Sequence, residues 1–326
     1  MEDNSILNVN NLKVSFLNDH SFIQVLRGVD MQLNQGEILG ILGESGSGKT
    51  VTASSILRLI NDGSCRIDSG SILFHHMEIT KLKEKEMREI RGKKISYIFQ
   101  DAMAALNPYK TVGKQIKEVL KVHGENCAKE RIINAMKQTG IENAEIIYNM
   151  FPAQLSGGLC QRVLITMSTI CTPEIIIADE PTTAIDASLQ KKVLELLSDI
   201  NQKSKSSIIV ITHDFDVVKY ICHRVIVMYG GLVMEEGTTS EVLENPMHPY
   251  TKALLRCMES LNDNEEKLYS LDGKAPSPTE FKEQCAFYER CIYKNHKCLT
   301  SIPEMRTVKH RKIRCVLEME GDFTSG

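Results

Sequence analysis

The segment Gly43–Thr50, which reads GESGSGKT, constrains the fold of this chain more than any other part of its sequence. It follows the apolar run 37–42 and matches the pattern G-x-x-x-x-G-K-T. Its glycines tolerate positive φ and carry no side chain, so successive backbone N–H groups can turn inward around a polyphosphate. Because the apolar spacing of residues 50–60 is helical, the segment is predicted to join a buried strand to a helix and to bind phosphate. A merely flexible glycine turn is the alternative.

Each residue of this predicted phosphate loop is a candidate nucleotide contact. The Lys49 ammonium group would face the β- and γ-phosphates, and the Thr50 hydroxyl would ligate Mg²⁺. A nucleotide with Mg²⁺ is therefore the expected ligand, and the family resemblance described below implies that the nucleotide is ATP. The predicted contacts are Gly43, Glu44, Ser45, Gly46, Ser47, Gly48, Lys49, Thr50 and Val51.

Two further apolar runs predict the core of an α/β fold. Residues 174–179 and 207–212 are continuous and rich in β-branched side chains, as in strands that are covered on both faces. The segment between them carries a helical apolar stripe, which predicts a parallel strand–helix–strand crossover. The residues of this stripe are Leu189, Val193, Leu196, Leu197 and Ile200.

The segments before residue 174 predict strands first and helices after them. Residues 6–74 predict short strands, with turns marked by Gly36, Gly63 and Gly70. Residues 80–160 are rich in lysine and glutamate and favour helices, which predicts a helical insertion in the sheet domain.

Two carboxylates follow the apolar run that ends near residue 178. Asp179 would hold Mg²⁺, directly or through water, and Glu180 would orient and polarise the attacking water. Either residue alone could be a solvated strand end or a helix cap. Their occurrence together with the phosphate loop favours the catalytic interpretation.

The stretch 155–162, LSGGLCQR, resembles the signature sequence of ABC-transporter nucleotide-binding subunits. The resemblance extends over most of residues 6–255, where Gln100, Asp186 and His213 are similar to the Q-loop, the D-loop and the switch histidine of that family. It implies a P-loop NTPase of the ABC type with a mainly parallel sheet and an N-terminal antiparallel β subdomain. It also implies a helical signature subdomain at about 101–165.

The resemblance also implies a role for each motif. Ser156, Gly157 and Gly158 would face the γ-phosphate bound by an opposing cassette, so catalysis would require two cassettes. The catalytic residues implied are Glu180, His213 and Gln100. The Mg²⁺ contacts implied are Thr50, Gln100 and Asp179, and Asp186 is a further nucleotide contact. Leu159 departs from the glutamine of many family members, but an active site is still expected.

Phe16 looks like the aromatic residue that stacks on adenine in this family. A phenylalanine on an early amphipathic strand is as often part of the core, and Phe22 is a nearby competitor. The sequence leaves these interpretations open.

Two longer runs look like the oligopeptide/dipeptide permease branch of the family. They are residues 100–108, in which Ala102 stands where the branch usually has proline, and residues 244–255. The implied function is an ATPase that energises peptide import. The implied partners are a second, related ABC subunit, two transmembrane permease subunits and an extracytoplasmic substrate-binding protein. An importer of nickel, a metal chelate or glutathione is the alternative.

A cysteine-rich extension is expected after the cassette, giving domains at residues 1–255 and 256–326. Cys285, Cys291, Cys298 and Cys315 occupy places similar to cysteines of that branch, which implies a [4Fe–4S] cluster in some members. A tetrahedral Zn²⁺ site or four ordinary reduced thiols remain as alternatives, because the spacings lack a C-x-x-C pair.

Composition sets weaker limits on function. The chain has 39 basic and 42 acidic residues among 326, and no long basic block, so no nucleic-acid partner is expected. No apolar segment reaches the length of about 18 residues needed to cross a bilayer. Together with this, the family resemblance implies a peripheral location at the cytoplasmic face of the membrane. A soluble ABC ATPase that remodels ribosomes or nucleic acid is the rival class; a P-loop kinase would leave LSGGLCQR unexplained.

Overall fold

The structure is a computed structural model that describes residues 4–60, 63–183, 187–262 and 271–317. Within these ranges the strands are β1 (Ser5–Asn18), β2 (Ser21–Asn34), β3 (Ile38–Leu42), β4 (Cys65–Phe74), β5 (Met77–Glu78), β6 (Ile95–Ile98), β7 (Ile175–Asp179), β8 (Ser207–Thr212), β9 (Arg224–Tyr229), β10 (Leu232–Thr238), β11 (Arg306–Val308) and β12 (Arg311–Ile313). The helices are α1 (Lys49–Ile56), α2 (Glu84–Ile90), α3 (Ala102–Ala105), α4 (Val112–Val122), α5 (Lys129–Gln138), α6 (Ala144–Ile147), α7 (Gly157–Thr169), α8 (Ala187–Ser204), α9 (Phe215–Ile221), α10 (Thr239–Glu244) and α11 (Pro249–Asn262).

The chain divides into two compact units. The first unit consists of residues 33–38 and 81–211 together with the start of the chain up to residue 4. The second consists of residues 5–32, 39–80 and everything from residue 212 onward.

The first unit contains a parallel sheet and a group of helices. Strand β7 pairs in parallel with β6 and with β8, and α8 connects β7 to β8. Every residue of β7 and β8 is buried, as expected for strands covered on both faces. Helix α7 packs against α3, α4 and α5. The predicted crossover and the helical insertion are both confirmed.

The second unit contains an antiparallel sheet in the order β2-β1-β4-β5. This confirms the N-terminal antiparallel subdomain, although β1 and β2 are longer than the short strands predicted. The prediction of a turn at Gly70 was wrong, because Gly70 lies inside β4 opposite a bulge in β1. A Cβ at Gly70 would lie 2.6 Å from the carbonyl oxygen of Asn11. The glycine therefore marks a close backbone approach, which a sequence cannot distinguish from a turn.

A mixed sheet completes the second unit. Strand β9 pairs in parallel with β3 and antiparallel with β10. Strands β12 and β11 extend this sheet beyond β10, again antiparallel. The cysteine-rich end of the chain therefore contributes two strands to the sheet that carries the phosphate loop.

Helix α1 ends at Ile56, four residues before the predicted end of its apolar pattern. Arg58 takes a left-handed conformation with φ 50°, and the Leu59 N–H donates to the Ser54 carbonyl oxygen at 3.0 Å. This is the hydrogen bond of a helix C-terminal cap, here formed without glycine. Gly63, which the sequence marks as a turn, therefore lies well beyond the end of this helix.

Candidate active site

The phosphate loop is a tight turn between β3 and α1 in the second unit. Gly43 has φ 154°, and a Cβ there would lie 2.3 Å from the carbonyl oxygen of Met228, so only glycine fits. Lys49 begins α1 and is buried. Its Nζ donates to the carbonyl oxygens of Gly43 at 2.7 Å and Glu44 at 2.9 Å. The ammonium charge therefore lies within the turn of the loop itself.

The Ser47 hydroxyl is a second sign that the loop is built around a ligand. Ser47 is buried, and within the described part of the chain its Oγ has no hydrogen-bond partner. A buried hydroxyl without a partner costs about 1–3 kcal/mol. An anion with several acceptor oxygens would satisfy this donor and the Lys49 ammonium together, so the loop fits a phosphate group. Thr50 is exposed at the start of α1, and Val51 is half-buried.

Two side chains that the sequence analysis missed hold the loop at Glu44. The Glu44 N–H donates to the Tyr250 hydroxyl at 3.0 Å. The Arg290 guanidinium donates to the Glu44 carboxylate at 2.8 Å. Arg290 is separated from Glu44 by 246 positions, and no spacing pattern predicts this contact.

Phe16 is half-buried in β1 and lies opposite Cys65 of β4. Its competitor Phe22 is more exposed, and the Arg66 guanidinium lies 4.0 Å from the centre of its ring. A cation therefore covers the Phe22 ring. The adenine contact at Phe16 stays a prediction.

Asp179 ends β7 in the first unit and is buried. It accepts a hydrogen bond from the Tyr97 hydroxyl at 2.7 Å. Burial and the neighbouring Asp179 charge raise the pKa of Tyr97, which keeps the phenol protonated and donating. Tyr97 was missed because its partner depends on the register between β6 and β7.

Glu180 and Gln100, both implied as catalytic residues, lie next to each other. The Gln100 Nε2 donates to the Glu180 Oε2 at 2.8 Å, and the Thr183 hydroxyl donates to the same oxygen at 2.9 Å. The backbone of Glu180 has φ 46°, and its N–H donates to the Ile211 carbonyl oxygen at 2.9 Å. A positive φ at a residue other than glycine is uncommon and is often found where a side chain must be aimed.

The signature segment forms the beginning of α7 in the first unit. The Ser156 hydroxyl caps this helix by accepting from the Leu159 N–H at 3.4 Å, and Ser156 is exposed. Among described residues, no heavy atom lies within 4 Å of a Cβ built on Gly157. A Cβ on Gly158 would instead lie 2.0 Å from the Leu189 side chain on α8. The two glycines thus have different roles. Gly157 leaves the surface at the start of α7 open, and Gly158 allows α7 and α8 to pack closely.

Two predicted site residues remain, His213 and Asp186. His213 is exposed in the second unit, in the turn between β8 and α9. Asp214 beside it caps α9 by accepting from the Asp216 N–H at 2.8 Å. Asp186 lies outside the described residues.

The four C-terminal cysteines are all buried. Burial, with smaller contributions from the other three thiols, raises the pKa of Cys285 to about 12, and burial likewise raises the pKa of Cys291 to about 11. The Cys285 N–H donates to the Cys298 carbonyl oxygen at 2.9 Å. The backbones of Cys285 and Cys298 are thus neighbours. In the described ranges, however, no three His, Cys, Asp or Glu side chains are arranged to hold a metal ion.

Comparison with protein families gives two matches. Residues 26–183 match the family described as ABC transporter. Residues 234–298 match the family described as oligopeptide/dipeptide transporter, C-terminal region. In the part of the chain that the structure describes, every helix is too short or too polar to cross a membrane.

Individual relatives match over most of the chain. The oligopeptide transport ATP-binding protein AppD of Bacillus subtilis is 40% identical over 97% of this chain and 98% of its own length. The oligopeptide transport ATP-binding protein OppD of the same organism is 44% identical over 88% of this chain and 82% of its own length. A similar solved structure is the dimeric ATP-binding cassette MJ0796 in a post-hydrolysis state with ADP and Pi. Its TM-score is 0.64 at 27% identity, covering 72% of this chain and 98% of that one.

Proposed function

This chain belongs to the ATP-binding subunits of ABC transporters, in the oligopeptide/dipeptide branch, and we propose that it hydrolyses ATP to drive peptide import through a membrane complex. The assignment of peptides as the transported substrate rests on the similarity to AppD, which extends over 97% of this chain. We assign residues 1–255 to the cassette and residues 256–326 to the cysteine-rich domain.

The phosphate loop supports the assignment of ATP as substrate. The buried Lys49 ammonium and the unpartnered Ser47 hydroxyl are donors that a polyphosphate would satisfy. Phe16 is proposed to stack on the adenine. Mg²⁺ is proposed to bind Thr50, Gln100 and Asp179, as the resemblance to the family implies. When bound, that ion would neutralise phosphate charge.

Hydrolysis requires a base for the attacking water, and we assign that role to Glu180. Water would attack the γ-phosphorus, its proton would pass to the Glu180 carboxylate, and the bond from the γ-phosphorus to the leaving oxygen of ADP would break. Gln100 and Thr183 fix the orientation of this carboxylate through their hydrogen bonds to Oε2. His213 and Asp186 are proposed to complete the site on family grounds.

A second cassette is proposed to supply the signature residues in trans. Ser156 is exposed and Gly157 leaves the start of α7 open, so a facing chain could bring its nucleotide to this helix end. The dimeric arrangement of MJ0796 is consistent with this proposal. The partner cassette is proposed to be a related but different chain.

The membrane subunits are proposed to dock on a groove in the first unit. The groove has a volume of about 400 Å³ and is lined by Tyr97, Phe99, Val119, Val122 and Leu164 among others. Phe99, which lines the groove, is 46% exposed, and the nearby Met103 is 48% exposed, an unusual amount of apolar surface for one short segment. Gln100 lies between them and is hydrogen-bonded to Glu180, so docking could reach the hydrolytic site directly. Two permease subunits and an extracytoplasmic binding protein complete the proposed complex, with this chain at the cytoplasmic face.

The four C-terminal cysteines are proposed to bind a [4Fe–4S] cluster or Zn²⁺. The support is chemical: all four thiols are buried in a small domain with few large apolar residues, and the Cys285 N–H donates to the Cys298 carbonyl oxygen. Protein purified without oxygen should contain iron and sulfide, or about one zinc per chain. Cys298→Ser should lower that content, whereas Cys127→Ser should not. A stable, fully reduced domain without metal would rule the cofactor out.

The proposed function is tested by peptide uptake in cells that lack the chromosomal gene. The wild-type chain should restore uptake of a labelled dipeptide, and Lys49→Ala should not, because it removes the loop cation. Lys203→Ala is the matched control, since Lys203 only forms a surface ion pair with Asp199. Restored uptake with Lys49→Ala, or uptake of nickel, a metal chelate or glutathione instead of peptide, would contradict the proposal.

A further inference from the structure

Arg290 connects the cysteine-rich region to the phosphate loop within the second unit. Its Nη1 donates to the Glu44 Oε2 at 2.8 Å and to the Tyr229 hydroxyl at 3.2 Å. The side chain of Arg290 is 8% exposed and that of Glu44 is 25% exposed. This is a largely buried, charge-assisted contact, which is stronger than an ion pair at the surface.

The guanidinium group of Arg290 is fixed from its other side as well. Nε donates to the Asp272 carbonyl oxygen at 3.0 Å, and Nη2 donates to the Leu271 carbonyl oxygen at 3.4 Å. Burial alone would lower the pKa of Arg290, but the hydrogen bonds to Glu44 and Tyr229 raise it. The planar group is therefore held in one orientation before any ligand binds, so little rotamer entropy remains to be lost.

Aromatic packing holds the same part of the loop. Tyr250, whose hydroxyl accepts from the Glu44 N–H, has its ring centre 4.6 Å from that of Tyr229. The buried Phe287 ring lies 5.4 Å from Tyr229 and 5.3 Å from Tyr250. Phe287 and Arg290 both come from the cysteine-rich region. That region thus reaches the loop through a charge and through an aromatic ring.

The position of Arg290 depends on a turn between two buried cysteines. The Tyr288 N–H donates to the Cys285 carbonyl oxygen at 3.0 Å, the Arg290 N–H to that of Phe287 at 3.1 Å, and the Cys291 N–H to that of Tyr288 at 3.3 Å. Both ends of this turn are anchored by buried thiols. Loss of the packed cysteine region would therefore withdraw Arg290 and Phe287 together.

We propose that Arg290 is a positioning residue for ATP binding: it holds the phosphate loop in its binding conformation through Glu44 and so makes nucleotide affinity depend on the intact cysteine-rich region. The inference rests on the proposed function, because it takes the Gly43–Thr50 loop as the ATP site. A loop with several glycines loses much backbone entropy when it closes around phosphates. Fixing Glu44 at its N–H and its carboxylate removes part of this cost before ATP arrives.

The test compares Arg290→Met with Lys297→Met in the full-length chain. Arg290→Met should raise the KM for ATP and the Kd for ADP about threefold to tenfold, as expected for the loss of a partly buried charge-assisted hydrogen bond, with kcat within twofold of wild type. Lys297 is exposed in the same region, and its substitution should change neither value. Arg290→Lys should restore part of the affinity, because it keeps the charge but not the fork of donors.

A second variant keeps the test decisive if Arg290→Met does not fold. Glu44→Gln should by itself raise the KM for ATP about threefold, because it weakens the same contact from the loop side. It should also speed hydrogen exchange at the Glu44 amide. In the Glu44→Gln background, Arg290→Met should add little further effect, since both changes act on one interaction.

The possible failures can be told apart. A wild-type KM in Arg290→Met, or an undiminished effect of Arg290→Met in the Glu44→Gln background, would overturn this inference and leave the proposed function intact. If Lys49→Ala bound ATP as tightly as wild type, the loop would not be the nucleotide site and the proposed function itself would fail.

Discussion

Glu180 has a strained backbone conformation, and its carboxylate accepts hydrogen bonds from two side chains. Its φ of 46° costs on the order of 1 kcal/mol or more relative to the usual regions. The Ile211 carbonyl oxygen and the side chains of Gln100 and Thr183 maintain the conformation. A residue that served only to end β7 would have no need of this arrangement, so the strain supports a role in aiming the carboxylate.

The first prediction concerns this carboxylate. Glu180→Gln should keep ATP binding but lower turnover at least about 100-fold, because the amide has the same shape and cannot accept the proton of the attacking water. Phosphate release and nucleotide affinity are the measurements. Glu174→Gln, which changes an exposed partner of Lys94, should retain the wild-type rate. Wild-type turnover in Glu180→Gln would remove Glu180 from the mechanism.

For single residues, the sequence predicted the chemistry of consecutive positions well, but it did not predict contacts between residues that lie far apart in the chain. The Gly43–Thr50 loop could be predicted because phosphate binding there depends on consecutive residues. Gln100 and Glu180 were both implied as catalytic residues by the resemblance, but the hydrogen bond between them could be seen only in the fold. Tyr97 and Arg290 were missed, because each meets its partner only through strand register or through packing of the C-terminal region.

Among the elements, strand β12 is attached to β10 by a buried ion pair as well as by backbone pairing. The Arg311 guanidinium donates to the Glu235 carboxylate, and the two side chains are 5% and 0% exposed. Glu235 also accepts from the backbone N–H groups of Met247 at 2.8 Å and His248 at 2.9 Å. One carboxylate therefore joins β10, β12 and the segment that leads into α11.

The second prediction follows from that burial. Arg311→Leu should destabilise the protein by about 3–5 kcal/mol, because it leaves the Glu235 charge buried without its cation. Lys312→Met is the matched control on the same strand: Lys312 is 44% exposed, and the change should cost less than about 1 kcal/mol. The check is the urea midpoint of both variants. Equal midpoints would mean that β12 is held by its backbone pairing alone.

His248 provides a third prediction, on the pH dependence of the element that it caps. Its Nδ1 accepts from the Tyr250 N–H at 2.9 Å at the start of α11. Burial lowers the pKa of His248 to about 3, and the Arg314 charge acts in the same direction. The unfolded chain takes up this proton below about pH 6.5 whereas the folded chain does not, so stability falls as the pH drops from 6.5 toward 3.

The size of this effect can be measured between pH 7 and pH 5. The wild-type chain should lose about 1–2 kcal/mol of unfolding free energy through His248 over that interval. His248→Asn keeps an acceptor for the Tyr250 N–H and removes the titration, so its stability should depend less on pH even if it is lower throughout. An unchanged pH dependence in His248→Asn would contradict the assignment.

The sequence predicted elements best where one physical requirement dominated. Strands β7 and β8 were recognised because full burial demands continuous apolar runs, and both match the expected ranges closely. The end of α1 was placed too late, since Arg58 terminates the helix in a conformation that usually favours glycine. Strands β11 and β12 are short and polar at several positions, and no periodicity could reveal them.

For the whole molecule, the cysteine-rich region is integrated with the cassette that precedes it. It adds β11 and β12 to the sheet of β10, and it reaches the phosphate loop through Arg290. The match to the oligopeptide/dipeptide C-terminal family begins at residue 234, inside β10. The boundary at residue 256 stays a proposal, and it rests on the change in composition there.

The last prediction concerns the assembly of two cassettes. In Glu180→Gln, ATP that is bound but not hydrolysed should hold two chains together, so Mg-ATP should shift the protein to twice its mass in light scattering. Because the partner cassette is proposed to be a related but different chain, the measurement should be made with that chain present as well as with this chain alone. Adding Ser156→Arg should abolish the shift, since a large cation would fill the open helix end that must receive the γ-phosphate of the facing chain. ATP binding by the single chain should survive this change, because Ser156 belongs to the partner's site in the proposed mechanism.

Gln202→Arg, an equally bulky change at an exposed position of α8, should leave the shift intact. An ATP-dependent dimer that persists with Ser156→Arg would show that the signature helix does not face the partner's nucleotide.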